Sequence, residues 1–308
     1  MAKIAFVFPG QGAQVFGMGK DFYENNALSR QVFDRASEIL NIDMTKLCFE
    51  ENDELNITEY TQPGLLTTEL AMLAAVTDMG IKPDVCAGLS LGEYAALAAS
   101  GRLDTEDAIA LVRKRGIYMQ EAVPTGGAMA AVLGLDATVV EDICSKEEGI
   151  VELANYNCPG QIVISGEEGP VTSASEKLKA AGAKRVAALK VSGPFHSSML
   201  KGAGEKLAGA LESVTLKDSE IPYVANTTAE YIYDNAPVKD LLIRQVSSSV
   251  KWEQSVRLML SEGVDTWIEI GPGKTLAGFM KRIDKTVKVI NIAKYEDLEK
   301  LKGLNETC

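Results

Sequence analysis

The sequence predicts an α/β fold, with a parallel sheet in a large domain and a small domain inserted into it. Three observations carry this reading. Short apolar runs alternate with helical patterns along most of the chain. A Gly-x-Ser-x-Gly element stands between a strand pattern and a helix pattern. Residues 126–192 change to the order β-α-β-β-α-β, the split ferredoxin-like unit. The expected division is 1–125 with 193–308 for the large, discontinuous domain and 126–192 for the insert.

Residues 3–8 (KIAFVF) read as a buried parallel strand, which PGQGAQ then breaks. Helical patterns follow near 28–40 and 65–79, then a short strand at 84–89. Residues 92–100 read as a helix with Gly101 as its stop, and Asp104 stands where it would cap the next helix, about 105–122. Inside the insert, AMAAVLGL, IVELANY, GQIVISG and 185–191 read as strands, with helices at 137–146 and 170–181. The chain then re-enters the large domain with a helix at 197–211 and strands near 221–225, 264–270 and 287–292.

Composition narrows the function. The 308 residues carry 31 basic and 43 acidic groups, a net charge of −12, which disfavours general nucleic-acid binding. One histidine, His196, rules out multi-histidine metal sites, so no metal is expected. Any histidine base must be this residue. Cys48, Cys86, Cys144, Cys158 and Cys308 form an odd set without C-x-x-C spacing, which fits reduced thiols in a cytoplasm. The first apolar run is too short for a secretion signal or a membrane span. No membrane partner is expected, and the expected state is a monomer.

The chemistry concentrates in a few segments. Gly88-Leu89-Ser90-Leu91-Gly92 gives the large domain its hydrolase-like character: a sharp strand-to-helix turn lifts a serine hydroxyl out of the sheet. The helix start behind it offers free N–H groups to an oxyanion. Only about 0.1 such matches arise by chance in a chain of this composition, and the strand before and the helix after weigh further against the alternative, an ordinary Gly-rich turn. Pro9-Gly10-Gln11-Gly12-Ala13-Gln14 follows the first strand. Ligands sit at the carboxyl ends of parallel strands, so either this loop lies beside Ser90 and donates an N–H to the same oxyanion, or it is a tight turn built from glycines. It is not a dinucleotide fingerprint, because Val15 stands where the third glycine belongs. Gly193-Pro194 precede Phe195-His196 and suggest a fixed loop that presents the base a serine nucleophile needs. A third triad member is not evident, and a carboxylate or a backbone carbonyl would serve. Arg113 and Arg115 are two apart on one helix and face different ways, so at most one enters a cleft. An arginine there would imply a substrate bearing an acid group.

Together these segments closely resemble the malonyl-CoA:acyl-carrier-protein transacylases of bacterial fatty-acid synthesis. The resemblance spans nearly the whole chain, through FPGQGAQ, GLSLGEYAAL, RGIYMQEAVPTGGAMAAVLGL, NYNCPGQIVISG, GPFHSSML and EIGPGKTLAGFMKRI. It implies that Ser90 takes the malonyl group as an ester and that His196 is general base, then general acid. It also implies an oxyanion hole from the N–H groups of Gln11 and Leu91. Arg115 would bind the malonyl carboxylate, and the carbonyl of Gln245 would orient the histidine ring. Many members carry histidine where this chain has Leu89, and any help from that second imidazole is absent here. Phe195 is bulky and suits malonyl over a branched acyl group.

The implied partners are malonyl-CoA and a phosphopantetheinyl acyl carrier protein, and no bound cofactor is required because the arm belongs to the carrier. A polyketide pathway is an alternative setting. An esterase is the competing enzyme class, although its histidine would ordinarily come late in the chain. An inactive acyl-thioester sensor is disfavoured by the presence of Ser90, His196 and Arg115. Carrier proteins of this kind are acidic, so bulk charge opposes docking. Charge is uneven, however: residues 271–308 hold a local +3 and residues 1–60 a local −5. A basic dock drawn from Lys184, Lys190, Lys274, Lys281 and Arg282 is the expectation.

Overall fold

The computed structural model describes residues 3–304. The chain opens with β1 (Ile4–Phe8), α1 (Lys20–Asn25), α2 (Ala27–Leu40), α3 (Met44–Phe49) and α4 (Thr58–Asp78). β2 (Val85–Gly88), α5 (Gly92–Ala99) and α6 (Thr105–Ala122) follow. Next come β3 (Gly127–Leu133), α7 (Ala137–Cys144), β4 (Val151–Cys158), β5 (Gln161–Glu167), α8 (Glu168–Ala180) and β6 (Arg185–Ala188). The remainder is a 3-10 turn (Ser198–Leu200), α9 (Lys201–Glu212), β7 (Tyr223–Val224), β8 (Tyr231–Ile232), α10 (Val238–Gln245), α11 (Trp252–Ser261), β9 (Thr266–Ile270), α12 (Thr275–Ile283), β10 (Lys288–Ile292) and a closing 3-10 stretch (Tyr295–Leu301).

One sheet has the order β10-β9-β1-β2-β7-β8 and is parallel except for β8, which pairs antiparallel with β7. Every residue of β1 is buried, as a central parallel strand with helices on both faces requires. Alternation splits its side chains between two cores. Phe6 and Phe8 face the helices α4, α5 and α6, whereas Ala5 and Val7 pack with Trp252, Trp267, Leu276 and Met280. Each such large side chain contributes about 1.5–3 kcal/mol by leaving water.

The second sheet is antiparallel, in the order β4-β5-β3-β6. Ala130, Val132, Ile162 and Ile164 face α7 and α8 in a core of their own. The alternate residues Met129, Ala131 and Val163 face the cavity between the two sheets. β4 is tied to the large sheet's side of the molecule by Tyr156 N–H donating to the Val250 carbonyl and Val250 N–H donating to that of Ala154.

Several expectations need correction. α4 begins at Thr58, seven residues before the expected start, because TEYTQP contains a proline and polar residues that resemble a loop. Pro63 cannot donate to the Glu59 carbonyl one turn back. The Arg113 guanidinium donates to that carbonyl instead. Asp104 occupies the cap position of α6 without a side-chain cap bond, since its carboxylate pairs with Lys217. The strand at 185–191 ends at Ala188, that at 221–225 shrinks to two residues, and the helix at 197–211 opens as a 3-10 turn. α1 and α3 are six residues each, too short to show a period. Cys48, Cys86, Cys144 and Cys158 are buried free thiols, and Cys308 lies outside the described residues. No described helix is long and apolar enough to cross a membrane.

Candidate active site

Ser90 stands where β2 turns into α5, with φ at +54°. Holding a non-glycine residue in this left-handed region costs about 1–3 kcal/mol, so the surroundings must enforce it. They do so by close packing. A Cβ on Gly88 would lie 1.9 Å from the carbonyl carbon of Gly92, and one on Gly92 would lie 2.3 Å from the Phe8 carbonyl oxygen. Both flanking glycines are therefore required by space. Asn226, just past β7, clasps the turn: its Oδ1 accepts from Ser90 N–H at 2.7 Å and its Nδ2 donates to the Gly88 carbonyl at 2.6 Å.

His196 follows the second sheet and also has a positive φ, +58°. Its Nε2 lies 2.7 Å from Ser90 Oγ and its Nδ1 lies 2.8 Å from the carbonyl oxygen of Gln245. A carbonyl only accepts, so Nδ1 carries the hydrogen and Nε2 is left to accept from the serine. Burial, and then the Arg115 cation, lower the imidazole to about 4. The ring is neutral, and able to act as a base, throughout the neutral range.

Arg115 is buried on the inner face of α6. Its guanidinium donates to Gln62 Oε1 (2.7 Å), Gln245 Oε1 (2.9 Å) and Ser90 Oγ (3.3 Å), all uncharged acceptors. Its Nε is buried without a partner among the described residues. A buried cation held this way retains most of its charge for a ligand. Arg113 turns the other way, onto the Glu59 carboxylate at 2.7 Å and the Tyr60 ring.

A cavity of about 260 Å³ opens above these groups, lined by Gln11, Ser90, His196 and Phe195, by Met129 and Asn157 of the second sheet, and by Leu276 and Phe279 of α12. Gln11 enters from the loop after β1, the strand that pairs with β2. Leu91 is buried immediately before the first turn of α5. Phe195 is buried beside the histidine. The five basic residues are all exposed. Lys190 lies between the lining residues Leu189 and Val191, Lys274 precedes the lining Thr275, and Arg282 donates to the lining Gln161. Lys281 is beside Arg282 on α12, and Lys184 packs instead against Gly134.

A serine–imidazole contact at an elbow, beside a buried cation, suits acyl transfer to or from an acid-bearing substrate. The family model described as acyl transferase domain matches residues 5–302. The chain belongs to the acyl transferase domain family. It is 48% identical to the malonyl CoA-acyl carrier protein transacylase of Bacillus subtilis, over 97% of this chain and 96% of that one. The acyl transferase fold is equally close to solved structures. The malonyl CoA-acyl carrier protein transacylase of Clostridium perfringens superposes with a TM-score of 0.94 at 47% identity, covering 99% and 98% of the two chains. A type II PKS acyl-carrier protein in complex with its malonyl-transacylase supplies a neighbour at TM-score 0.94 and 38% identity, covering 97% of this chain and 98% of that one.

Within this acyl transferase, three polar residues of the site escaped sequence reasoning. Gln62 lies in the opening turns of α4, ahead of the expected helix start at 65. Asn226 follows a two-residue strand. Glu93 sits in an apolar helix, fully buried, and burial raises its carboxyl to about 8. A charged residue amid GEYAALAA was the available signal for the last.

Proposed function

We propose that this chain moves the malonyl group of malonyl-CoA to the phosphopantetheine thiol of an acyl carrier protein in fatty-acid synthesis, through an ester on Ser90. The observation that carries the reading is the 2.7 Å contact between Ser90 Oγ and His196 Nε2 beside the buried Arg115. Near-full-length likeness to malonyl transacylases supports the substrate.

Malonyl-CoA enters with its carboxylate on Arg115. Ser90 Oγ attacks the thioester carbonyl, and its proton passes to His196 Nε2. The carbonyl oxygen, now negative, is held by the N–H groups of Gln11 and Leu91. The C–S bond breaks and the imidazolium returns its proton to the CoA sulfur. The carrier's thiol then repeats these steps in reverse, giving ping-pong kinetics. Gln245 holds the ring tautomer through its main-chain carbonyl, and Phe195 limits the width of the acyl pocket. Neither metal nor bound cofactor enters these steps, because the thiols belong to the substrates.

The carrier docks on Lys190, Lys274, Lys281 and Arg282, with Lys184 at the edge; the position of three of them beside the cavity lining supports this. Residues 126–192 form a ferredoxin-like insert in a hydrolase-like domain of 1–125 and 193–308, supported by the strand order β4-β5-β3-β6 with α7 and α8 on one face. A cytoplasmic location fits the buried free thiols, and the chain is proposed to act as a monomer. A polyketide carrier is the second reading, favoured by the likeness to the PKS complex.

Intact-mass measurement after malonyl-CoA, then after carrier protein, tests the reading. Ser90 should gain one malonyl group and lose it to the carrier, and Ser90→Ala should gain none. Labelling of Ser90→Ala at the normal rate, or hydrolysis that ignores the carrier, would refute it. Supplying fatty-acid and polyketide carriers separately distinguishes the two settings.

A further inference from the structure

Gln245 is the junction of the site. Its main-chain carbonyl accepts from His196, its Oε1 accepts from Arg115 Nη2 at 2.9 Å, and its Nε2 donates to the Ser90 carbonyl at 2.8 Å. An amide side chain can occupy such a position in either of two orientations, because its oxygen and nitrogen ends have the same shape. Only one orientation keeps an acceptor toward Arg115. Glu93, three residues after Ser90, meets the nitrogen end: its Oε2 accepts from Gln245 Nε2 at 2.6 Å and from Asn226 N–H at 3.4 Å. Reversing the amide would set its oxygen against Glu93 Oε2 and the Ser90 carbonyl, and its NH2 against the guanidinium. Glu93 itself is 1% exposed, and its Oε1 has no partner among the described residues.

We propose that Glu93 is a positioning residue: its carboxyl fixes the Gln245 amide with Oε1 toward Arg115, and thereby sets the preference for acyl groups that bear a free carboxylate. This rests on the reading of Arg115 as the carboxylate-binding residue. A neutral carboxyl serves best, since Oε2 accepts as a carbonyl while no negative charge competes with the substrate for the guanidinium. The titratable groups that face Glu93 are Arg115 from α6, Tyr94 from its own helix and Tyr223 from β7. Both tyrosines are held well above their ordinary range by burial, so neither ionises between pH 6.5 and 9.5. With the carboxyl raised to about 8, raising the pH through that value places an anion beside Arg115.

The test is competition between malonyl-CoA and acetyl-CoA for Ser90, read by intact mass, so that effects common to both acyl groups cancel. Glu93→Leu keeps the volume and removes the shortest of the contacts to Gln245 Nε2, and should lower the malonyl-to-acetyl ratio about tenfold or more. Glu93→Gln presents a carbonyl in place of Oε2 and should recover most of that ratio. Arg115→Ala is the control. If Arg115→Ala loses the preference while Glu93→Leu keeps it, the role of Glu93 is wrong and that of Arg115 stands. If Arg115→Ala keeps the preference, the underlying reading has failed. Should Glu93→Leu not fold, wild type and Glu93→Gln are compared from pH 6.5 to 9.5. The wild-type ratio should fall above about 8 and that of Glu93→Gln should stay level. Parallel behaviour of the two would overturn the proposal.

Discussion

The chain has a single imidazole, so a titration seen in acylation below neutrality has one imidazole to report. The structure lowers that ring from 6.5 to about 4, chiefly by burial and next by the Arg115 cation, against the support of the Gln245 and Ser248 backbone. The displacement corresponds to about 3 kcal/mol of preference for the neutral ring. The perturbation is pH, applied to the wild type and to Arg115→Leu. The assay is the pH profile of kcat/KM for acylation of Ser90 from acetyl-CoA, a substrate with no free carboxylate to pair with the guanidinium. This parameter reports the free enzyme. Wild type should keep its rate from pH 8 down through 6 and lose half of it near pH 4. Arg115→Leu removes the charge and leaves the burial, so its midpoint should rise without reaching 6.5. The stability follows the same ring. Between pH 6.5 and about 4 the unfolded chain takes up a proton that the folded ring refuses, so this group's contribution falls as the pH drops through that window. A wild-type midpoint at 6.5 or above would refute the account of a buried imidazole beside a cation.

Other outcomes follow from the same geometry. Arg115→Ala should lower malonyl-over-acetyl discrimination by about 2–4 kcal/mol, and undiminished discrimination in competition assays would contradict it. Asn226→Ala deletes both clasps on the serine turn and should cost about 2–4 kcal/mol in denaturant unfolding, with a larger fall in acylation rate than in malonyl-CoA affinity. Gly92→Ala drives a Cβ into the Phe8 carbonyl and should destabilise by about 1–3 kcal/mol or more. Lys281→Glu with Arg282→Glu should raise half-saturation for carrier protein at low salt, the difference shrinking as salt rises; no change at low salt would remove that patch.

What the sequence made legible follows the length and regularity of each signal. β1, β2, α5 and α6 were readable because an apolar run, a glycine elbow and a helix stop lie within a few residues of one another. The second sheet was readable from its rhythm of strands and helices. Ser90, His196 and Arg115 are brought together as expected, although 106 residues separate the serine from the histidine. The supporting residues were less legible. Gln62 lies behind Pro63, whose missing donor is compensated by Arg113 from another helix, and no local pattern encodes that exchange. Asn226 works through a turn it does not belong to. Short helices such as α1 and α3 exist because α2 and α4 pack on them, a tertiary cause with no period of its own.

The missing carboxylate beneath His196 becomes intelligible from these charges. A buried aspartate at the Nδ1 position would strengthen the base, but it would also stand near Arg115 and pair with it, leaving less charge for an acid-bearing substrate. The Gln245 carbonyl orients the ring without adding an anion. Gln62 and Gln245 then hold the guanidinium by neutral oxygens, and burial keeps Glu93, the one carboxyl within the network, protonated at neutral pH. Burial is the larger cause of the low basicity of His196, and the same choice adds to it, since the Arg115 cation repels a proton from the ring. On the proposed role of Arg115, a bound malonyl carboxylate opposes the cation's part of this effect. Its negative charge offsets Arg115 and raises the imidazole toward its ordinary value, so the base strengthens when the proper substrate is bound. The acid limb of kcat for malonyl-CoA should therefore lie at higher pH than the limb of kcat/KM, whereas for acetyl-CoA the two limbs should coincide. Coincident limbs for both substrates would show that the carboxylate does not reach the guanidinium.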